Sequence, residues 1–243
     1  MKSLKFLSVI AIGAAMIALS SSCNSGDDKK GDGKDSTGTA PKDSTVATTP
    51  AKPGNIMVVM HKVKDFDKWL PVFEGDDSLQ KANGLTRNIV ARGIDDPSMV
   101  LIGFKMADYD KAKAMGSSQG LKDKMKSAGV ISEPTMHFLN TQVMDTSTNS
   151  MTDRIIIFSK VKDYDAWKKS FDDHSDVRKN GGVTDRAVAY DYTEKTNVSV
   201  VMCINDMKKA RDFIKSPELK ARMDSAGVVG KPDIFFYHVV KQY

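Results

Sequence analysis

The sequence predicts an α+β protein built from two copies of one strand, helix, strand, strand, helix, strand unit, packed sheet to sheet within a single chain. Three observations carry that prediction. Lys62-Val-Lys-Asp-Phe-Asp-Lys-Trp69 returns as Lys160-Val-Lys-Asp-Tyr-Asp-Ala-Trp167, displaced by 98 positions. The same offset persists to the end of the chain, mapping Phe73 onto Phe171, Gly84 onto Gly182, Ser127-Ala-Gly-Val130 onto Ser225-Ala-Gly-Val228 and Pro134 onto Pro232, so the chain holds a duplicated unit. Lastly, Ile155-Ile-Ile-Phe158 and Val200-Val-Met-Cys-Ile204 are apolar at every position, so both faces of their sheet must be covered.

Each element can be placed in turn. Ile56 to His61 is a β-rich run, and Asp65 can cap a helix whose apolar positions Phe66, Trp69, Leu70 and Phe73 fall at helical spacing. Gly84 ends that helix. Thr86 to Arg92 and Met99 to Phe104 read as strands joined by a turn at Gly93-Ile-Asp-Asp-Pro97. A second helix begins near Asp108, breaks around Gly116 to Gly120, resumes through Met125 and stops at Gly129, and Thr135 to Val143 closes the unit. The second copy repeats the order with strands over 154–160, 185–191, 197–204 and 233–241. The order is that of the ferredoxin-like fold. Two helices cover one face of each sheet, and the simplest cover for the other face is the sister copy, which is a dimeric α+β barrel made within one chain. Repeat 1 is expected over 55–144, a linker over 145–152 and repeat 2 over 153–243. Because the partner sheet is already in the chain, a monomer with an internal pseudo-dimer is expected.

The segment before the repeats is of another kind. Met1 to Lys5 carries two lysines and Phe6 to Leu19 is apolar, a charged and then hydrophobic run too short for a confident membrane span. It reads as an export signal over 1–22. Ser20-Ser21-Ser22-Cys23 resembles a lipobox, with Ser20 where the commonest form has Leu, and makes Cys23 the acylated first residue of a lipoprotein. Looser boxes of this kind, and an Asp-containing stretch after the cysteine such as Asn24 to Lys30, resemble Bacteroidetes lipoproteins. Residues 23–54 form a Gly, Ser, Thr, Asp, Lys and Pro-rich tether with almost nothing to build a core. The resemblance implies a cell-envelope protein attached through its lipid to the outer membrane, on its periplasmic or surface face. Cys203 is then left without a disulfide partner and reads as a small buried hydrophobe in an apolar strand.

The formal charge is +5 from 36 Lys and Arg against 31 Asp and Glu, and falls to +3 once Lys2 and Lys5 leave with the signal. So weak a field argues against a nucleic-acid partner. There is no metal-spaced His/Cys/Asp cluster, no glycine-rich phosphate loop and no nucleophile elbow, so no metal and no cofactor is expected.

Candidate site residues are few. His174 and Arg178 lie four apart below Trp167 and Phe171 and could address one anion, although with Asp172, Asp173 and Asp176 around them a solvated charge network at a helix edge is the favoured reading. Arg186 and Tyr190 lie four apart on a strand and are expected on one face, where they could hold a carboxylate or phenolate if that face is the inner one. His61 and His137 sit on strands that can be neighbours, so haem ligation is conceivable, but a strand histidine is more often structural. Each of the four histidines meets a different residue in the sister copy, which weakens any role shared by both repeats. Trp69, Trp167 and the methionines of the second helices read as core.

The pattern Val-Lys-Asp-(Phe/Tyr)-Asp-x-Trp-x-x-x-Phe, a later Ala-Gly-Val and a Pro before the last strand resembles the small dimeric α/β-barrel domains related to antibiotic-biosynthesis monooxygenases, especially their uncharacterised cyclase-like members. The resemblance covers both copies. It implies the barrel fold and leaves activity open, since that superfamily includes cofactor-free oxygenases, haem-degrading enzymes, isomerases and members with no known reaction. The leading expectation is an envelope lipoprotein whose barrel binds a small apolar or anionic molecule or a protein partner. The alternatives are a cofactor-independent monooxygenase or isomerase on an aromatic or polyketide-like substrate, and a purely structural protein. The first two require a cavity between the sheets with polar groups pointing inward, and the third a filled core.

Overall fold

Eight strands form one closed antiparallel barrel, and pairs of short helices lie against its outside. The structure, a computed structural model, describes residues 53–145 and 151–243. The signal segment, Cys23, nearly all of the tether and the middle of the linker lie outside the described residues. No helix among the described residues is long and apolar enough to cross a membrane.

The first copy runs β1 (Asn55–Lys62), α1 (Phe66–Gly75), α2 (Asp77–Ala82), β2 (Leu85–Gly93), β3 (Met99–Met106), α3 (Tyr109–Ser117), α4 (Gln119–Ser127) and β4 (Thr135–Met144). The second repeats it as β5 (Asp153–Val161), α5 (Tyr164–Asp173), α6 (Ser175–Asn180), β6 (Val183–Asp191), β7 (Asn197–Ile204), α7 (Met207–Ile214), α8 (Pro217–Ser225) and β8 (Val228–Gln242). Around the barrel the order is β1-β3-β2-β8-β5-β7-β6-β4, so each copy contributes four adjacent strands. The two seams, β2 with β8 and β4 with β6, join one copy to the other. They are related by the repeat: Ala91 faces Val239 at one and Ala189 faces Thr141 at the other, each pair moving onto the other under the offset. The sheet-to-sheet barrel expected from the doubly apolar strands is the architecture found.

Alternation sorts the side chains into three layers. Ile155 packs outward with Trp167 under the second copy's helices, whereas the next residue, Ile156, points into the barrel with Val58, Leu101 and Tyr237. Trp69 and Phe66 anchor the matching outer layer of the first copy. The helices begin on side-chain caps, Asp65 Oδ1 accepting from the Lys68 amide at 3.1 Å and Asp163 Oδ1 from the Ala166 amide at 2.7 Å. Gly84 and Gly182 adopt φ of 70° and 78° after the first helical region of each copy. A Cβ on Gly182 would come within 2.8 Å of the Lys209 Cβ, so the stop demands glycine for space as well as for conformation.

One expectation fails in a regular way. The single first helix is broken in both copies, at Asp76 and at His174. At each break a guanidinium takes carbonyls of the last turn. In the first copy Arg87 of β2 donates through Nη2 to the carbonyls of Phe73 and Glu74 at 3.0 and 2.7 Å. In the second, Arg178 of α6 donates through Nη1 to the Phe171 carbonyl at 2.6 Å. A carbonyl satisfied from outside no longer holds the next turn in line.

Candidate functional site

The residues singled out from the sequence scatter over two layers. Arg178 is buried, its Nε and Nη2 donating to the two carboxylate oxygens of Asp185 at 2.7 and 2.6 Å, with its guanidinium 3.5 Å from the Phe171 ring centroid. Those contacts commit its donors to holding α6 on β6. His174, at the helix break, points Nδ1 at the Ser170 carbonyl, 2.6 Å away. Both border a small apolar space beneath the second copy's helices.

Arg186 and Tyr190 are not on one face. The β6 to β7 register shifts between Asp185 and Ala187, placing a β-bulge at Arg186. That inserted residue reverses the alternation beyond it. Arg186 therefore lines the barrel interior, its Nη1 3.5 Å from Asp145 Oδ2. Tyr190 packs into the outer layer edge-on to Tyr164, with centroids 5.0 Å apart.

His61 and His137 also part company. His61 is in the outer layer, buried edge-on to Trp69 at 5.7 Å, and neither ring nitrogen has a hydrogen-bond partner. Burial lowers its pKa to about 4. His137 pairs across the sheet with Val58, an interior residue, and stacks on Phe158 with centroids 3.8 Å apart. Burial lowers its pKa, against the opposing pull of Asp233 and Asp191. The space beside His61 is about 80 Å³, room for two or three water molecules. Opposite faces and so small a space do not fit a haem held by these histidines. Among the described residues no group of three or more His, Cys, Asp or Glu could hold a metal ion.

The barrel interior holds a cavity of about 280 Å³ between the two sheets, roomier than the spaces of about 80 and 100 Å³ beneath the helices of the two copies. Its walls are largely aliphatic, with Ile56, Val58, Leu101, Ile156 and Val201, while Gly103 and Ala189 leave the space open. Three cationic side chains reach it, Arg154, Arg186 and Lys105, and no acidic side chain lines it. Arg154 is 5% exposed and its Nε has no hydrogen-bond partner. Among the described residues no carboxylate forms an ion pair with it. Its guanidinium does meet the Tyr237 hydroxyl, which burial pushes up to about 12 and so keeps protonated. Thr141 and Ser199, both buried, add hydroxyl-bearing side chains to the lining.

Sequence reading passed over Arg154, Tyr237 and Lys105. The signal lay in comparing the copies, because the offset sets Arg154 against Ile56, Arg186 against Asn88, Tyr237 against Leu139 and Lys105 against Cys203. A charged residue in a strand at a position that is apolar in the sister copy marks where the two repeats have diverged.

No family model and no curated protein matches the sequence. Solved structures do match. An anthrone oxidase-like protein aligns with a TM-score of 0.56 at 11% identity over 78% of this chain and 92% of its own. A Fusobacterium nucleatum protein given provisionally as a monooxygenase aligns at 0.50 and 14% identity over 77% and 92%. One given provisionally as a chlorite dismutase aligns at 0.50 and 12% over 78% and 96%. At such identities the likeness is one of architecture: this chain has the ferredoxin-like, dimeric α+β-barrel type of fold, with both halves in one polypeptide.

Proposed function

We propose that the protein is a cell-envelope lipoprotein whose barrel binds a small, partly apolar molecule between its two sheets. The observation that carries the reading is the 280 Å³ interior cavity with polar side chains turned into an aliphatic lining. A purely structural barrel would fill that volume, since cores pack to crystal-like density. A cavity of about 150 Å³ is enough for benzene, so roughly one to two rings fit here. Cys23, acylated, and the tether after it supply the attachment.

Native mass spectrometry of the protein released gently from bacterial membranes tests the binding. A defined extra mass on the monomer, lost when Ala189→Leu fills the cavity, is the expected result; a clean monomer that takes up no aromatic or aliphatic probe would return the weight to a structural role. For the anchor, Cys23→Ala should abolish labelling by a palmitate analogue and move the protein out of the membrane fraction. Labelling that survives the change would refute the assignment of Cys23.

A second reading, a cofactor-independent monooxygenase or isomerase, is favoured by one feature. The Tyr237 hydroxyl and the Arg154 guanidinium meet in a cavity with largely aliphatic walls, where fixed donors stabilise a developing oxyanion far better than in water. Turnover of an enolisable aromatic ketone that disappears in Tyr237→Phe, with the fold intact, would support it; no turnover across such substrates would count against it.

A further inference from the structure

We infer that the ligand of the barrel is a small apolar acid whose single carboxylate is taken by Arg154, and this deepens the binding reading above and rests on it. A guanidinium does not shed its proton in a protein, so Arg154 carries its charge into the barrel. Desolvating a charge without a partner is costly. Arg154 is 5% exposed, its Nε has no hydrogen-bond partner among the described residues, and its guanidinium meets the neutral hydroxyl of Tyr237. An anion entering the cavity would meet this charge, with Lys105 adding positive potential from the same lining and Arg186 already paired with Asp145.

The divergence of the repeats points the same way. The second copy places Arg154 where the first has Ile56, and the first places Lys105 where the second has Cys203. Charges from both halves therefore converge on one cavity, which neither half would build alone. Around them Val58, Leu101, Ile156 and Val201 offer no polar group to a ligand's body. A dianion such as phosphate would have to lose more hydration than this lining returns, whereas a monoacid with a ring or short chain places charge on Arg154 and carbon on the aliphatic wall.

Calorimetric titration of the purified full chain with benzoate, hexanoate and their neutral amides decides the matter. A hydrogen bond to a charged group is strong enough to favour each acid over its amide by about tenfold or more. In Arg154→Met that ratio should collapse towards one, with amide affinity retained, and Arg154→Lys should keep part of it. Tighter benzoate means a ring fills the cavity and tighter hexanoate a chain, and both support the assignment. Acids and amides binding equally to the unaltered chain would overturn it while leaving a binding cavity in place. No binding of any of the four would remove the cavity reading as well. The comparison on the unaltered chain stands even if Arg154→Met does not fold.

Discussion

An imidazole buried behind an indole has its charge state decided by its surroundings. His61 has no hydrogen-bond partner at either nitrogen, and burial lowers its pKa to about 4 from the usual 6.5. Protonation therefore favours the unfolded chain. Above pH 6.5 both states carry neutral His61 and its contribution does not vary. As pH falls from 6.5 towards 4 the unfolded state binds the proton and the folded state does not, so stability is lost across that window and levels off below it. The shift is worth on the order of 3 kcal/mol. Urea unfolding at pH 7 and pH 4.5 should show that loss in the natural chain and a much smaller one in His61→Leu. Removing two unpaired nitrogens should also leave stability at pH 7 unchanged or raised. An equal acid-induced loss in both proteins would place the sensitivity elsewhere.

At the scale of elements, the two repeats solve one problem with opposite charges. In the first copy the arginine is on the strand and a glutamine on the helix, Arg87 Nε donating to Gln80 Oε1 at 2.8 Å; in the second the arginine is on the helix and an aspartate on the strand. Either way a guanidinium lies on the phenylalanine ring of the preceding helix, 5.0 Å from Phe73 or 3.5 Å from Phe171, and takes its carbonyl. Arg87→Asp alone should cost about 3 kcal/mol, because Gln80 and two carbonyls lose their partner. Adding Gln80→Arg rebuilds the second copy's arrangement in the first and should recover most of that loss, a coupling of about 1–3 kcal/mol in a double-mutant cycle read from urea midpoints. Additive effects would mean that the two positions do not act as a pair.

The same elements explain what was legible in the sequence. The order of elements along each copy, the packing of one copy's sheet on the other's and the Gly84 stop follow from the repeat offset, from strands apolar on both faces and from glycine chemistry, all of which are local or exactly repeated signals. The helix break depended on a guanidinium arriving from fourteen residues away in the first copy, Arg87 to Phe73, and no local pattern announces it. Arg186 and Tyr190 were set on one face by counting in twos, and a single bulge residue reversed the count. Arg154 went unnoticed because a cation at the start of an apolar strand resembles an end residue until its partner on the neighbouring strand, Tyr237, is in view.

For the whole molecule, closure within one chain has a consequence for assembly. All eight strands are paired on both edges, two of the eight pairings being seams that cross from one copy to the other, so among the described residues no strand edge is left to recruit a second chain. Sedimentation should give a monomer. Dividing the chain between Met144 and Asp153 and producing the halves as separate polypeptides asks how far the copies have diverged. Backbone geometry allows either half to pair with itself, since the two seams are related by the repeat. Side chains do not treat the pairings alike. Two second copies would bring two Arg154 and two Arg186 side chains into one cavity, where the natural barrel holds one of each, and like charges at low dielectric repel strongly. Two first copies would place Ile56 and Leu139 at the positions of Arg154 and Tyr237, leaving a more apolar interior with two Lys105 side chains at its end. Of the two pairings that carry these arginines, the mixed one brings half as many of them into the cavity. Co-expressed halves should therefore assemble as a one-to-one heterodimer, the first half alone as a weaker homodimer and the second half alone as a monomer or aggregate. In Arg154→Ile the second half should gain the ability to self-associate, as read by native mass spectrometry. Indifferent mixing of the halves would show that the divergence serves the ligand alone and not the pairing of the sheets.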